Sequence, residues 1–186
     1  MNSVFKLFTA TLLLMLLTTS CGESTPEETI TIDPAKEHKE LMIAFQELAD
    51  PQTGLLDQTA STAYVERANN FSNQFPEDSL AALPLYRSAE ISRSIGKPKE
   101  AIDTYKKVLE RYPNFYKAAE ARFMLAFSYD EDLKDLDQAR VAYEDYLKRH
   151  PEHTFADDAQ MLLRNLGKSD EEILQELEAQ LNAAGN

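Results

Sequence analysis

The residues whose types could support chemistry lie in the last third of the chain, where two histidines stand close to two aspartates. His150 and His153 flank a Pro-Glu pair, and Asp157 and Asp158 follow. Imidazole and carboxylate groups at such spacing could bind a metal ion such as zinc. His150, however, stands where two equivalent segments carry an aromatic residue. We therefore interpret it as a packed corner histidine and predict no metal site.

The acidic segment D-E-D-L-K-D-L-D at 130–137 has the composition of a calcium-binding loop. It lacks the central glycine, and Val141 stands where the bidentate glutamate belongs. We expect Asp135 or Asp137 to cap the helix that follows. With five glycines in 186 residues, no phosphate-binding loop and no G-x-S-x-G sequence, the chain offers no catalytic site. We predict a protein without enzymatic activity or cofactor.

Cys21 is the only cysteine, and it follows an apolar N-terminal segment. Lys6 precedes the mainly apolar residues 7–17, and small polar residues lead to the cysteine, which is typical of a secretory signal. That apolar run would rise about 16 Å as a helix, too little for the ~30 Å hydrocarbon core. The sequence L-T-T-S-C-G at 17–22 resembles a bacterial lipobox. The resemblance implies a Cys21 thiol that carries diacylglycerol, with palmitate-type chains as the anchor; an ordinary signal peptide is the alternative.

The residue after the cysteine implies in which membrane such a lipoprotein resides. Gly22 stands where an aspartate would imply retention in the inner membrane, and this favours the outer membrane with the protein facing the periplasm. The acidic segment 22–28 leaves export to the cell surface as an alternative, and the inner membrane is a further one.

The charge of the chain limits its partners. Without residues 1–20 it carries 18 Lys and Arg against 32 Asp and Glu, a formal charge of −14. Such a surface repels nucleic acid and anionic headgroups, so we predict no nucleic-acid partner. Basic protein partners are compatible with this charge but are not required by it, because an acidic surface also simply confers solubility.

One corner recurs three times along the chain. Residues 72–76 read S-N-Q-F-P, residues 109–113 read L-E-R-Y-P, and residues 147–151 read L-K-R-H-P. Before the second corner, apolar residues recur at the spacing of an amphipathic helix. Small residues precede the second and the third corner at Ala101 and Ala139, where a neighbouring helix must approach closely. A helical pair this short cannot bury both faces alone, so we predict that antiparallel helix pairs stack on one another.

The segment L-A-F-S-Y at 125–129, with the residues that follow it, resembles the tetratricopeptide repeat (TPR). The resemblance implies an all-α superhelical stack of about three repeats plus capping helices. The predicted domains are a signal peptide at 1–20, a lipidated acidic tether at 21–35 and a TPR-like helical domain at 36–184. The residues that carry the resemblance are Leu125, Ala126, Tyr129, Ala139, Tyr143 and Pro151 in one repeat, Gly96, Ala101, Tyr105 and Pro113 in the one before, and Pro76 at the first corner.

In TPR proteins the first helix of each pair lines a face that receives peptides or helices. The resemblance places Tyr86, Glu90 and Arg93 of one repeat at the positions that Phe123, Phe127 and Asp130 hold in the next. Two aromatic residues one turn apart are typical of a binding hot spot. The alternative interpretation is that both phenylalanines belong to the core.

The resemblance extends to two groups of bacterial envelope proteins. One is the TPR lipoprotein of the outer-membrane β-barrel assembly machinery, and the other is the TPR module of the Tol–Pal-associated cell-division coordinator. Both imply a non-enzymatic scaffold for envelope proteins, in outer-membrane assembly or in peptidoglycan synthesis and division. A module that binds a soluble ligand is the hypothesis from a different class.

Overall fold

The computed structural model describes residues 32–184. The predicted signal peptide, Cys21 and most of the predicted tether therefore lie outside the described residues. Among residues 32–184 there is no strand, and the one isolated β-bridge joins Ala49 to Leu56. The α-helices are α1 Pro34–Gln46, α2 Gln58–Gln74, α3 Ala82–Ser94, α4 Pro98–Arg111, α5 Ala118–Phe127, α6 Leu136–Arg149, α7 Ala156–Asn165 and α8 Asp170–Ala184.

Successive helices from α1 to α7 pack against one another as antiparallel hairpins. The pairs α3–α4 and α5–α6 form two complete hairpins, and each second helix also packs against the first helix of the next pair. This confirms the prediction of an all-α, TPR-like stack. No helix in the described part of the chain is long and apolar enough to cross a membrane.

The repeated corner has the same backbone geometry at all three places. Helices α2, α4 and α6 end at Phe75, Tyr112 and His150, where φ lies between −125° and −134° and ψ between 51° and 63°. Each of these residues donates its backbone N–H to the carbonyl four residues earlier. The proline that follows cannot continue the helix, so the chain turns there. His150 therefore has the structural role that its position in the repeat predicts.

The core consists of large aromatic residues from the second helices and small residues where helices meet. Tyr105, Tyr143, Ala101 and Ala139 are fully buried, as the repeat pattern predicts. The alanines have no side chain beyond Cβ, and this lets the paired helix approach closely. Leu41 of α1 is also fully buried, so the leading helix covers one end of the core.

The turn between the two helices of a hairpin differs between the repeats. Gly96 ends α3 with a φ of +77°, a left-handed conformation that glycine adopts without strain. Helix α5 instead continues as a π-helical turn, Ser128–Asp132, and Lys134 takes the left-handed position with a φ of 54°. Asp135 then accepts a hydrogen bond from the Gln138 N–H at 3.2 Å, which confirms the predicted cap of α6.

Helix α8 begins with a reciprocal cap and leaves its leucines at the surface. The Ser169 hydroxyl accepts from the Glu172 N–H at 3.2 Å, and the Glu172 carboxylate accepts from the Ser169 N–H at 2.8 Å. Leu174, Leu177 and Leu181 are each more than half exposed.

Candidate partner-binding face

The candidate face is formed by α3 and α5, the first helices of the two complete hairpins. Tyr86 of α3 and Phe123 of α5 occupy equivalent places, as the sequence predicts. Each ring contacts the tyrosine of its own second helix: Tyr86 lies 6.0 Å from Tyr105 and Phe123 lies 6.3 Å from Tyr143, centroid to centroid. The equivalent aromatic residues of the two repeats therefore make equivalent contacts with the second helix.

Both rings are covered by an aromatic residue of the following corner. Phe115 lies 6.0 Å from Tyr86, and Phe155 lies 4.9 Å from Phe123. Tyr86 is 4% exposed and Phe123 is 8% exposed. Phe123 is therefore a core residue of the α5–α6 hairpin, and of the two phenylalanines only Phe127 reaches the surface in part.

Glu90 lies on the same face in a polar and half-buried setting. Burial raises the pKa of its carboxyl, and the Tyr86 hydroxyl and the Lys117 ammonium partly oppose this increase. The ammonium of Lys117 lies 5.7 Å from the Tyr86 ring centroid and 3.4 Å from a carboxylate oxygen of Glu120.

Arg93 joins the two hairpins instead of standing free for a partner. Its guanidinium lies 4.7 Å from the Phe127 ring centroid and donates to both carboxylate oxygens of Asp132, at 2.5 and 3.1 Å. Bidentate contact with a carboxylate and stacking on an aromatic ring are the two interactions that suit the planar guanidinium. Arg93 and Phe127 are thus paired with each other across the repeat boundary.

Asp130 lies in the π-helical turn and is 7% exposed. Burial raises the pKa of its carboxyl, and the Tyr143 hydroxyl donates a hydrogen bond to Oδ2 at 3.3 Å. The carboxyl lines a cavity of about 460 Å³ at the turn end of the hairpins, which we call the Asp130 cavity. Its walls include Asp130, Leu136, Leu162, Leu166, Asp170 and Ile173.

The histidines pack against aromatic residues at the third corner. The Tyr146 hydroxyl lies 2.9 Å from His153 Nδ1, and the rings of His150 and Tyr146 are 5.6 Å apart. Burial, with a smaller contribution from the Arg122 charge, lowers the pKa of His150. Within residues 32–184, no group of three or more histidine, cysteine or acidic side chains is arranged to hold a metal ion.

Two segments of the chain match the family model described as tetratricopeptide repeat, at residues 85–114 and 120–153. These segments coincide with the α3–α4 and α5–α6 hairpins. Both hairpins therefore match the tetratricopeptide repeat in sequence as well as in architecture. No curated protein matches the chain. TPR domains are in general non-catalytic modules that bind other proteins, so the fold indicates a protein partner.

Sequence reasoning missed the π-helical turn and the Arg93–Asp132 pair. A signal for the first was present: Ala101 lies nine positions after Ser92, whereas Ala139 lies ten positions after the equivalent Tyr129. One additional residue within a helix is what a π-helical turn accommodates. The ion pair has no such signal, because its two residues lie 39 positions apart.

Proposed function

We propose that the protein is a lipid-anchored TPR scaffold that brings envelope proteins together on the periplasmic side of the bacterial outer membrane. The observation that carries this proposal is the stack of two matched TPR hairpins, extended at both ends by further helices. Such a stack presents one continuous surface to a partner, and its repeats belong to a class of interaction modules.

The proposed anchor depends on the sequence before the domain. The lipobox-like L-T-T-S-C-G places Cys21 directly after the apolar segment, and a short stretch rich in Thr, Glu and Pro leads to α1. A lipidated residue with several acyl chains would hold the protein at a membrane, because stable anchoring requires more than one chain. The tether would keep the TPR stack close to that surface.

Between the two envelope roles, this arrangement favours outer-membrane assembly. The order of lipidated cysteine, short tether and TPR helices is that of the assembly-machinery lipoprotein which the chain resembles. The tether at 21–35 leaves no room for the sustained heptads of a coiled coil ahead of the repeats. Coordination of peptidoglycan synthesis and division is the second candidate, and the same experiment separates the two.

The test is site-specific photocrosslinking in intact cells. Tyr116 is 71% exposed and stands beside Lys117 on the candidate face, so a photoreactive phenylalanine analogue there should capture a partner. The same analogue at Val141, which is 63% exposed on the second helix α6, is the matched control.

We expect β-barrel assembly components to be captured from position 116 and not from position 141. Enrichment of peptidoglycan synthases or Tol–Pal proteins from position 116 would support the division role instead. Equal capture from both positions, or none above background, would contradict a scaffold that acts through this face.

A further inference from the structure

The boundary between the α3–α4 and α5–α6 hairpins is filled by a guanidinium. The side chain of Arg93 extends from α3, stacks on the ring of Phe127 and pairs with the carboxylate of Asp132 at the end of the π-helical turn. The aliphatic part of an arginine side chain can lie on apolar surface while its head pairs with a carboxylate, so one residue fills a mixed site. We call this arrangement the first joint.

The equivalent positions at the next boundary carry carboxylates and no cation. Asp130 stands 37 residues after Arg93, and Asp170 stands 38 residues after Asp132. Both aspartates line the Asp130 cavity, together with aliphatic side chains of α6, α7 and α8. We call this boundary the second joint. Asp170 supplies a carboxylate at the position of Asp132, but Asp130 stands at the position of Arg93. The cavity volume of about 460 Å³ lies within the ~300–1,000 Å³ range of ligand sites.

Neither lysine of the cavity forms an ion pair with Asp130, and the Lys134 charge only partly opposes the increase that burial causes in the pKa of Asp130. The ammonium of Lys134 lies 2.9 Å from a Glu131 oxygen, and that of Lys168 lies 2.7 Å from Glu176. Among residues 32–184, the hydrogen bond from Tyr143 is the contact that Asp130 makes, and no ion pair involves it. A carboxylate that is 7% exposed and has no cation in direct contact is costly, because burial removes its hydration.

We propose that the Asp130 cavity binds an arginine side chain of a protein partner, with Asp130 and Asp170 as the carboxylates that receive the guanidinium. This inference rests on the proposed function as a scaffold and names the side chain that the scaffold recognises. The bound guanidinium occupies the second joint as Arg93 occupies the first.

The chemistry of the cavity selects this ligand. Leu162, Leu166 and Ile173 offer apolar surface to the methylenes of the arginine stem, whereas a small inorganic cation would leave that surface unused. The tether at 22–35 contains no lysine or arginine and cannot supply the cation. The formal charge of −14 on the chain after residue 20 also attracts a basic partner segment.

The experiment uses two short peptides and the isotope-labelled full chain in detergent. One peptide is acetyl-Ala-Arg-Ala-amide, and the other carries citrulline, a neutral side chain of the same shape, in place of arginine. We expect the arginine peptide to shift the amide resonances of Asp130, Gly167 and Lys168 with saturation, and the citrulline peptide to leave them unchanged. Asp130→Asn should weaken binding of the arginine peptide at least about tenfold.

Asp137→Asn is the matched control, because Asp137 is an exposed aspartate of α6 that does not line the cavity. Equal binding of the two peptides, or equal loss of binding in the two variants, would overturn the proposal. Tighter binding of Ca²⁺ than of the arginine peptide at the same resonances would overturn it as well, since the cavity would then be an inorganic-cation site.

Partner capture in cells separates this inference from the proposed function. If Asp130→Asn lowers capture from position 116, both proposals are supported. If wild type and variant capture the same partner equally, the scaffold stands and the role of the cavity in recognition is wrong. If wild type captures nothing while the arginine peptide still binds, the cavity stands and the scaffold role is wrong.

Discussion

The Tyr112 hydroxyl lies 3.1 Å from the Ser72 hydroxyl, 40 residues earlier in the chain. Tyr112 ends α4 at the second corner and Ser72 lies in the last turn of α2, just before the first corner. Arg111 adds a second connection, because its Nη1 donates to the Ser72 carbonyl at 3.0 Å. The corner motif therefore ends a helix and also fixes one repeat on the next.

Tyr112→Phe should lower the free energy of unfolding by about 0.5–1.5 kcal/mol, the usual net contribution of one hydrogen bond. The loss stays modest because Arg111 Nη1 also donates to the Ser72 hydroxyl, which keeps a partner. Urea denaturation followed by circular dichroism measures the change. Tyr116→Phe is the control, since Tyr116 is 71% exposed and its loss should cost less than about 0.5 kcal/mol. Equal effects of the two variants would contradict a linking role for Tyr112.

The sequence was sufficient to predict the hairpin stack because its signals are local and repeated. An amphipathic stripe, a small residue and a proline at fixed spacing specify a helical pair, and Tyr105 and Tyr143 lie where that pattern predicts. Contacts between repeats are not determined by this local pattern. The Arg93–Asp132 pair depends on how two hairpins meet, and the equivalent residues Asp130 and Asp170 cannot pair with each other. Periodicity alone therefore could not predict the cavity.

Phe123→Ala should lower the free energy of unfolding by about 3–5 kcal/mol, the range for a large aromatic residue removed from a core. Its ring contacts Tyr146 at 5.6 Å and Phe155 at 4.9 Å, so the substitution leaves a void among three elements. Phe127→Ala is the comparison. Because Phe127 is only partly buried, its removal should lower the free energy of unfolding by less. Urea denaturation of the two variants checks the order, and a larger loss for Phe127→Ala would contradict the assignment of Phe123 to the core.

The Arg93–Asp132 pair should show a coupling energy of about 1 kcal/mol in a double-mutant cycle of alanine variants. Both side chains are less than 30% exposed, and the contact is bidentate. The pair Lys134–Glu131 provides the control, because its side chains are 65% and 43% exposed. Exposed pairs of this kind contribute about 0.2–1 kcal/mol, so its coupling should lie at the low end. A coupling for Arg93–Asp132 no larger than this control would show that the first joint does not hold the hairpins together.

Cys21→Ser should release the protein from the membrane fraction and abolish incorporation of a labelled fatty acid. The physical reason is that the proposed anchor requires the thiol, and residues 32–184 contain no helix that could replace it. Immunoblotting of membrane and soluble fractions, with fluorescence detection of a clickable palmitate analogue, makes the measurement. Thr19→Ser, a small polar exchange in the same segment, is the control. Membrane association that persists in Cys21→Ser would contradict the lipoprotein hypothesis.

Asp130→Asn should raise the stability of the unliganded protein at neutral pH while it removes arginine binding. Burial raises the pKa of Asp130 in the folded state, so between the unfolded and folded pKa values the native state binds more protons than the unfolded state. The contribution of Asp130 to the stability of the wild-type protein therefore falls as the pH rises through the pKa that Asp130 has in the folded state. The asparagine has no charge to desolvate and can still accept from the Tyr143 hydroxyl.

The difference between wild type and Asp130→Asn should accordingly shrink as the pH is lowered towards the ordinary aspartate value. Denaturation at neutral and mildly acidic pH measures this, with Asp137→Asn as the exposed control that should show no such trend. The same titration applies to the arginine peptide, whose affinity for wild type should increase with pH because the guanidinium binds the carboxylate form. A variant less stable than wild type at neutral pH would show that the Asp130 carboxylate is stabilised by its surroundings in the unliganded protein, and would contradict an unpaired carboxylate that awaits a ligand.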